Sequence, residues 1–299
     1  MGSRMGKKHL LADMFLIFVA FVWGINNSIA KLAIAEFSPF SFIALRYGIS
    51  SLLLGLILVI TGEPWRIKQA DWGKLLLLGF IGNTLNSLCF IQGLSYSSAS
   101  IASLMGTASP LFVALLNVFS GMESLNRFSW VGVVFSFMGI LIITGENTHW
   151  QFNWHRQEFK GTLLLLGATV TWAFYTAFGK PLLRKYSPLQ TIVYTTNIGF
   201  ISLLPFVLPT LWHQNWSRIH LSSWIGVFYA AIFAAALAHV LWYYGVKHIG
   251  STRTIIYNNL TPIVGVLTAY IYLGERLTPF QMLGAGMVIG GIYLVRRYG

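Results

Sequence analysis

The chain has 299 residues, of which 56% are hydrophobic, 15% aromatic and only 9% charged, with a formal net charge of +12. Soluble domains carry about 25% Asp, Glu, Lys and Arg, so this composition excludes a water-soluble domain, and its many large apolar side chains exclude a disordered chain. The lone Cys89 excludes a scaffold of internal disulfides.

Ten apolar runs have roughly the 20-residue length that crosses a hydrocarbon core: 14–33, 40–60, 72–94, 99–118, 128–145, 161–179, 189–209, 224–246, 252–273 and 280–295. None shows the two-residue alternation of a membrane barrel, so the backbone is expected to satisfy itself within helices. The predicted fold class is all-α, a polytopic membrane protein with ten transmembrane helices. Threading these alternately from an inner N-terminus puts fourteen Lys and Arg on the N-terminal side and five on the other, with Arg46 inside a span. Basic loops stay cytoplasmic, which predicts a multi-pass protein of a bacterial plasma (inner) membrane with both termini in the cytoplasm. The +12 charge is thus mostly a topology signal. Membrane lipid and a small-molecule substrate are the expected partners, with no nucleic acid.

Polar groups inside a span are costly in hydrocarbon and face a cavity or a neighbouring helix. In chain order, the first span carries Trp23, Asn26 and Asn27 near mid-depth and closes on Lys31. The third carries Asn83, Thr84 and Asn86, the fourth Ser103 and Thr107 ahead of Pro110, and the sixth Trp172, Tyr175 and Thr176. The eighth contributes His239 and Trp242, three apart on one helical face, and the ninth Tyr257, Asn258 and Asn259 ahead of Pro262. Each has a plainer reading. Asn, Ser and Thr hydrogen-bond neighbouring membrane helices for about 1 kcal/mol, and His239 reads also as a buried, satisfied imidazole. Pro110 and Pro262 read as hinges or as permanent kinks. Gly132-x3-Ser136 and Gly286-x3-Gly290 read as close-packing faces.

The acids Asp13, Glu36, Glu63, Asp71, Glu123, Glu146, Glu158 and Glu275 all fall outside the spans as drawn. A proton-coupled exporter of cationic drugs needs a buried carboxylate, and none is expected at mid-depth. Arg46 lies about 10 Å from the outer end of its span at 1.5 Å per residue, too shallow to count as a central anion site. The lining expected is amide, hydroxyl and aromatic, which suits a neutral or zwitterionic solute. Lys31 and Lys180 are expected to close their own helices, and Glu123 and Glu275 to cap the helices that follow them.

The two halves repeat. Trp23, Lys31, Ser38 and Pro39 recur 149 residues later as Trp172, Lys180, Ser187 and Pro188. Gly93, Pro110, Glu123, Leu125, Gly132 and Gly139 recur 152 residues later as Gly245, Pro262, Glu275, Leu277, Gly284 and Gly291. Each half holds five spans, an odd number, so the second half enters the membrane from the opposite face and forms an inverted repeat. The pattern Pro-x12-Glu-x-Leu-x6-Gly-x6-Gly, occurring twice over ten spans, resembles the EamA family of the drug/metabolite transporter superfamily. The resemblance implies an N-terminal segment 1–11 and two repeats, 12–145 and 160–297, with spans 1, 3, 4, 6, 8 and 9 lining a central cavity.

The expected function is therefore a secondary transporter, most simply an exporter of neutral or zwitterionic amino acids or related compounds by alternating access. The substrate-binding set drawn from those spans is Trp23, Asn26, Asn27, Asn83, Asn86, Thr107, Trp172, Tyr175, Thr176, His239, Trp242, Asn258 and Asn259. A transporter of an organic phosphate, choline-like cation or lipid intermediate is the alternative. A membrane enzyme is disfavoured because no His-Glu-x-x-His and no metal-ligand cluster occurs. No cofactor or metal is expected, and a monomer is compatible with this reading.

Overall fold

The computed structural model describes residues 2–121 and 126–298, apart from the side chains of 2–8, 252, 296 and 298. Among the described residues the chain is helical throughout, without strands. The helices are α1 (Gly2–Ala33), α2 (Pro39–Ile60), α3, α4, α5 (Arg127–Asn147), α6 (Gln157–Leu183), α7 (Pro188–His213), α8, α9 and α10 (Pro279–Tyr298). Four of them are interrupted. α3 runs through Trp72–Gly79, a π-helical stretch Phe80–Leu85 and Asn86–Tyr96, and α8 through Leu221–Tyr229, a π-helical stretch Ala230–Leu237 and Ala238–Ile249. α4 breaks between Ala99–Gly106 and Ser109–Phe119, and α9 between Ser251–Tyr257 and Leu260–Leu273.

Among the described residues, nine helices are long and apolar enough to cross a membrane, and Pro279–Val295 is a shorter apolar helix. The exterior confirms the solvent. Leu52, Ile60 and Tyr272 are about 70% exposed or more, while Asn26, Asn83, Ser103 and Thr176 are buried. A water-soluble protein distributes these groups the other way.

Local chemistry explains several helix ends. Ser38 accepts from the Ser41 amide at 3.1 Å and Ser187 from the Gln190 amide at 2.9 Å, each followed by Pro at the first helical position. This is an N-cap with a proline whose missing N–H costs nothing there. The prolines within α4 and α9 act differently. Pro110 offers no N–H to Gly106, and the Gly106 carbonyl takes the Ser109 hydroxyl at 2.8 Å and the Asn258 amide of α9 at 3.3 Å. The two breaks thereby touch.

Glycines set the closest approaches. A Cβ on Gly132 would stand 2.5 Å from the Gly291 carbonyl oxygen, and one on Gly139 2.5 Å from that of Gly284, which presses α5 against α10. Gly286 faces open space, so the packing face of α10 is the Gly284 and Gly291 side and not the Gly286-x3-Gly290 side. Gly93 of α3 packs on Leu165 of α6, and Gly245 of α8 packs on Leu16 of α1.

Charged ends differ from the expectation. α1 begins at Gly2, so Asp13 lies on a helix and accepts from the Tyr257 hydroxyl at 2.7 Å. Lys31 stands in the last turn of α1, as expected, but its ammonium is spent on another helix. Its Nζ reaches the Leu94 and Ser97 carbonyls at 2.8 and 2.6 Å and caps the C-terminal end of α3. Glu275 caps the start of α4, not α10, accepting from the Ala99 and Ser100 amides at 3.1 and 2.8 Å. Glu123, expected to cap its following helix, lies outside the described residues.

The connecting segments form two separate clusters. At one end, Gln214 accepts from the Ser38 amide at 2.8 Å and Glu36 pairs with His220 at 2.5 Å. At the other, Lys185 pairs with Asp71 at 2.7 Å, Tyr186 donates to Asp71 at 2.8 Å, and Ser187 bonds Glu63.

Candidate functional site

α1 and α6 bring their tryptophans together. Trp23 and Trp172 meet edge to face with ring centroids 5.0 Å apart. His239 of α8 stands 5.5 Å from each of them. Trp242, one turn further along α8, backs both rings at 5.1 and 5.5 Å and is fully buried. The Ala234 carbonyl, inside the π-helical stretch, accepts from Trp23 Nε1 at 2.9 Å and pairs with His239 Nδ1 at 3.0 Å. Such stretches concentrate at functional sites because they re-aim side chains within a helix.

Trp23, Trp172 and His239 form one wall of a cavity of about 140 Å³. An ordered water needs about 10–15 Å³ by this measure, so the cavity holds on the order of ten waters, or a solute of about ten non-hydrogen atoms. The remaining lining comes from α1 (Asn26, Asn27), α2 (Arg46, Tyr47), α3 (Asn86, Ser87, Phe90), α4 (Ala102, Ser103, Gly106, Ser109), α6 (Leu165, Ala168, Thr169) and α9 (Asn258, Thr261, Pro262). Several polar members tie the walls to each other. Asn27 donates to Ser103 at 2.8 Å, Asn86 to the Ala168 carbonyl at 2.7 Å, and Ser87 to the Tyr47 hydroxyl at 2.7 Å.

Of the residues expected at the site, Trp23, Asn26, Asn27, Asn86, Trp172, His239 and Asn258 line this cavity. The others do not. Asn83 faces α7 and donates to the Thr195 carbonyl at 3.1 Å. Tyr175 is fully buried, 2.9 Å from the Thr195 hydroxyl and stacked on Tyr243 with centroids 4.9 Å apart. Thr176 accepts from Trp242 Nε1 at 3.3 Å, so both serve as packing behind the aromatic wall. Thr107 and Asn259 lie instead along an apolar groove shared by α4, α9 and α10.

Arg46 is the main correction. It is 7% exposed and lines the cavity. Depth along α2 made it look peripheral, whereas the side chain is buried against the cavity. The signal was present in the sequence, since Arg46 was the charged residue drawn furthest inside a span, and such residues mark substrate paths by default. Among the described residues the lining contains no carboxylate.

The chain matches the EamA-like transporter family over residues 10–145 and again over 159–297. It belongs to that family. Similar proteins include the uncharacterized transporter YyaM of Bacillus subtilis, 28% identical over 95% of this chain and 93% of the relative. An uncharacterized transporter of Archaeoglobus fulgidus is 29% identical over 97% and 99%. A probable amino-acid metabolite efflux pump of Salmonella typhimurium is 26% identical over 94% of each chain. A solved crystal structure superposes with a TM-score of 0.63 at 16% identity, covering 95% of this chain and 96% of the other, a likeness of fold. As an EamA-like protein with these apolar helices, the chain is a multi-pass membrane transporter and not an enzyme.

Proposed function

We propose that this EamA-like transporter exports small amino-acid-like metabolites by alternating access, with the cavity beside Trp23 and Trp172 as its binding site. The observation that carries the reading is that repeat mates from the two halves meet at the wall of the central cavity. Ten transmembrane helices form two inverted halves, 12–145 and 160–297, behind a segment 1–11. Exchange of the halves supports this arrangement. It turns the Gly132–Gly291 contact into Gly284–Gly139, and the Gly93–Leu165 contact into Gly245–Leu16. The π-helical stretches of α3 and α8 and the breaks of α4 and α9 also recur at matched places.

In such a design the halves rock about a midplane site, and the breaks ahead of Pro110 and Pro262 are the hinges. Trp23, Asn26, Asn27, Asn86, Trp172, His239 and Asn258 contact the solute, and Trp242 holds the tryptophan pair in place. The basic-residue count puts both termini in the cytoplasm of a bacterial plasma membrane, with lipid and a small solute as partners of a monomer. The amino-acid substrate draws on the Salmonella relative and on the size of the cavity. Uptake of each of the twenty amino acids into proteoliposomes tests the reading. Saturable flux of at least one, absent from protein-free vesicles, is expected, and no saturable flux for any would defeat it.

A further inference from the structure

Two buried polar atoms of the cavity lining lack a hydrogen-bond partner: Arg46 Nε, a donor, and Asn26 Oδ1, an acceptor. Arg46 is 7% and Asn26 3% exposed, so bulk water does not supply what the protein withholds. Leaving buried polar groups unpaired is expensive, more so for a charged one, and each such group in a folded protein calls for an explanation. Their neighbours are paired, Asn27 with Ser103 and Asn258 with Gly106. Among the described residues no carboxylate forms an ion pair with Arg46. The Tyr47 ring, its centroid 5.7 Å from Arg46 Cζ, is a charge-stabilising neighbour.

A guanidinium keeps its charge in proteins and presents a planar fork matched to a carboxylate, whereas an ammonium only donates and needs an acceptor. The geometry points to Arg46 as the residue that binds the carboxylate of the transported solute, with Asn26 Oδ1 receiving its ammonium. This deepens the transport reading above and rests on it. The substrate is a zwitterion whose two charged ends complete the two orphaned groups, and whose side chain lies along Trp23, Trp172 and Phe90. A cation lacking a carboxylate meets the Arg46 charge with nothing to offset it and is refused.

The test is saturable uptake of labelled L-phenylalanine and L-leucine into proteoliposomes, competed by their amides and by the deaminated acids 3-phenylpropionate and 4-methylpentanoate. The deaminated acids are expected to compete and the amides not to. Arg46→Gln raises the half-saturation concentration by about ten- to hundred-fold, and Arg46→Lys recovers part of that loss. Asn26→Leu weakens uptake of the amino acids but leaves competition by 3-phenylpropionate unchanged. Amides that compete as well as the acids, or a folded Arg46→Gln protein with wild-type half-saturation, overturn the assignment while the transport reading stands. If Arg46→Gln does not fold, Arg46→Lys and the wild-type competition series decide. Absence of saturable uptake for both amino acids also overturns it, and the panel of twenty then decides the transport reading separately.

Discussion

Trp23 and Trp172, 149 residues apart in the chain, meet edge to face with ring centroids separated by 5.0 Å. If the halves rock against each other as proposed, this contact between repeat mates changes directly. Trp23→Ala and Trp172→Ala are each expected to lower flux at least about ten-fold, the loss of one aromatic contact in a desolvated site being worth that much. Trp242→Ala is expected to act on folding instead, costing about 3–5 kcal/mol as a fully buried tryptophan. Flux per folded molecule, set beside the melting temperature of each variant, separates the two effects.

The α5–α10 seam makes a sharper stability prediction. Gly139→Leu drives a side chain into the Gly284 backbone and is expected to destabilise by about 1–3 kcal/mol or more. Gly286→Ala, on the same seam's helix but facing open space, is expected to be neutral. Thermal unfolding in detergent that ranked these two the other way would refute the packing described for α10.

Glu36 supplies a pH dependence. Hydrogen bonds from the His220 amide, then from the Ser223 and His220 side chains, hold its carboxyl below the ordinary value of about 4.5. A depressed carboxylate stabilises the fold above that ordinary value, and the contribution disappears as pH falls through the lower folded value. The melting temperature of the wild type is expected to exceed that of Glu36→Gln at pH 7, with the gap closing on acidification towards pH 3. A gap that widened as pH fell from about 4.5 towards 3 would reverse the sign and contradict the pairing.

The helix breaks can be tested by restoring what proline removes. Pro110→Ala supplies an N–H to the Gly106 carbonyl, in competition with Asn258 and Ser109. Flux is expected to slow while the melting temperature holds or rises, because the change straightens α4 without emptying the core. Unchanged flux would make the break a fixed kink.

Much of this was legible in the sequence because membrane helices announce themselves by length and because the repeat preserves Trp23, Pro110 and Gly132 in register. Trp23 stood out since it does not sit at a span end, where a tryptophan has an interfacial explanation, and Trp172 stood out as its repeat mate. What the sequence hid was partnership across space. Lys31 and Glu275 carry the charges suited to helix ends, but the ends they cap belong to α3 and α4. Tyr175 and Asn83 have the chemistry of a binding site and spend it on Thr195. Arg46 was misjudged by counting along one helix, which does not show that its buried side chain lines the cavity.

The most direct measurement concerns the cavity itself. Ala102 lines it without a polar role, so Ala102→Cys in a Cys89→Ser background places one thiol at the proposed site. Reaction of that thiol with a charged methanethiosulfonate reagent is predicted to abolish amino-acid flux, and a transported amino acid is predicted to slow the reaction. Complete modification, established by mass spectrometry, with flux undiminished would contradict the assignment of this cavity as the transport site.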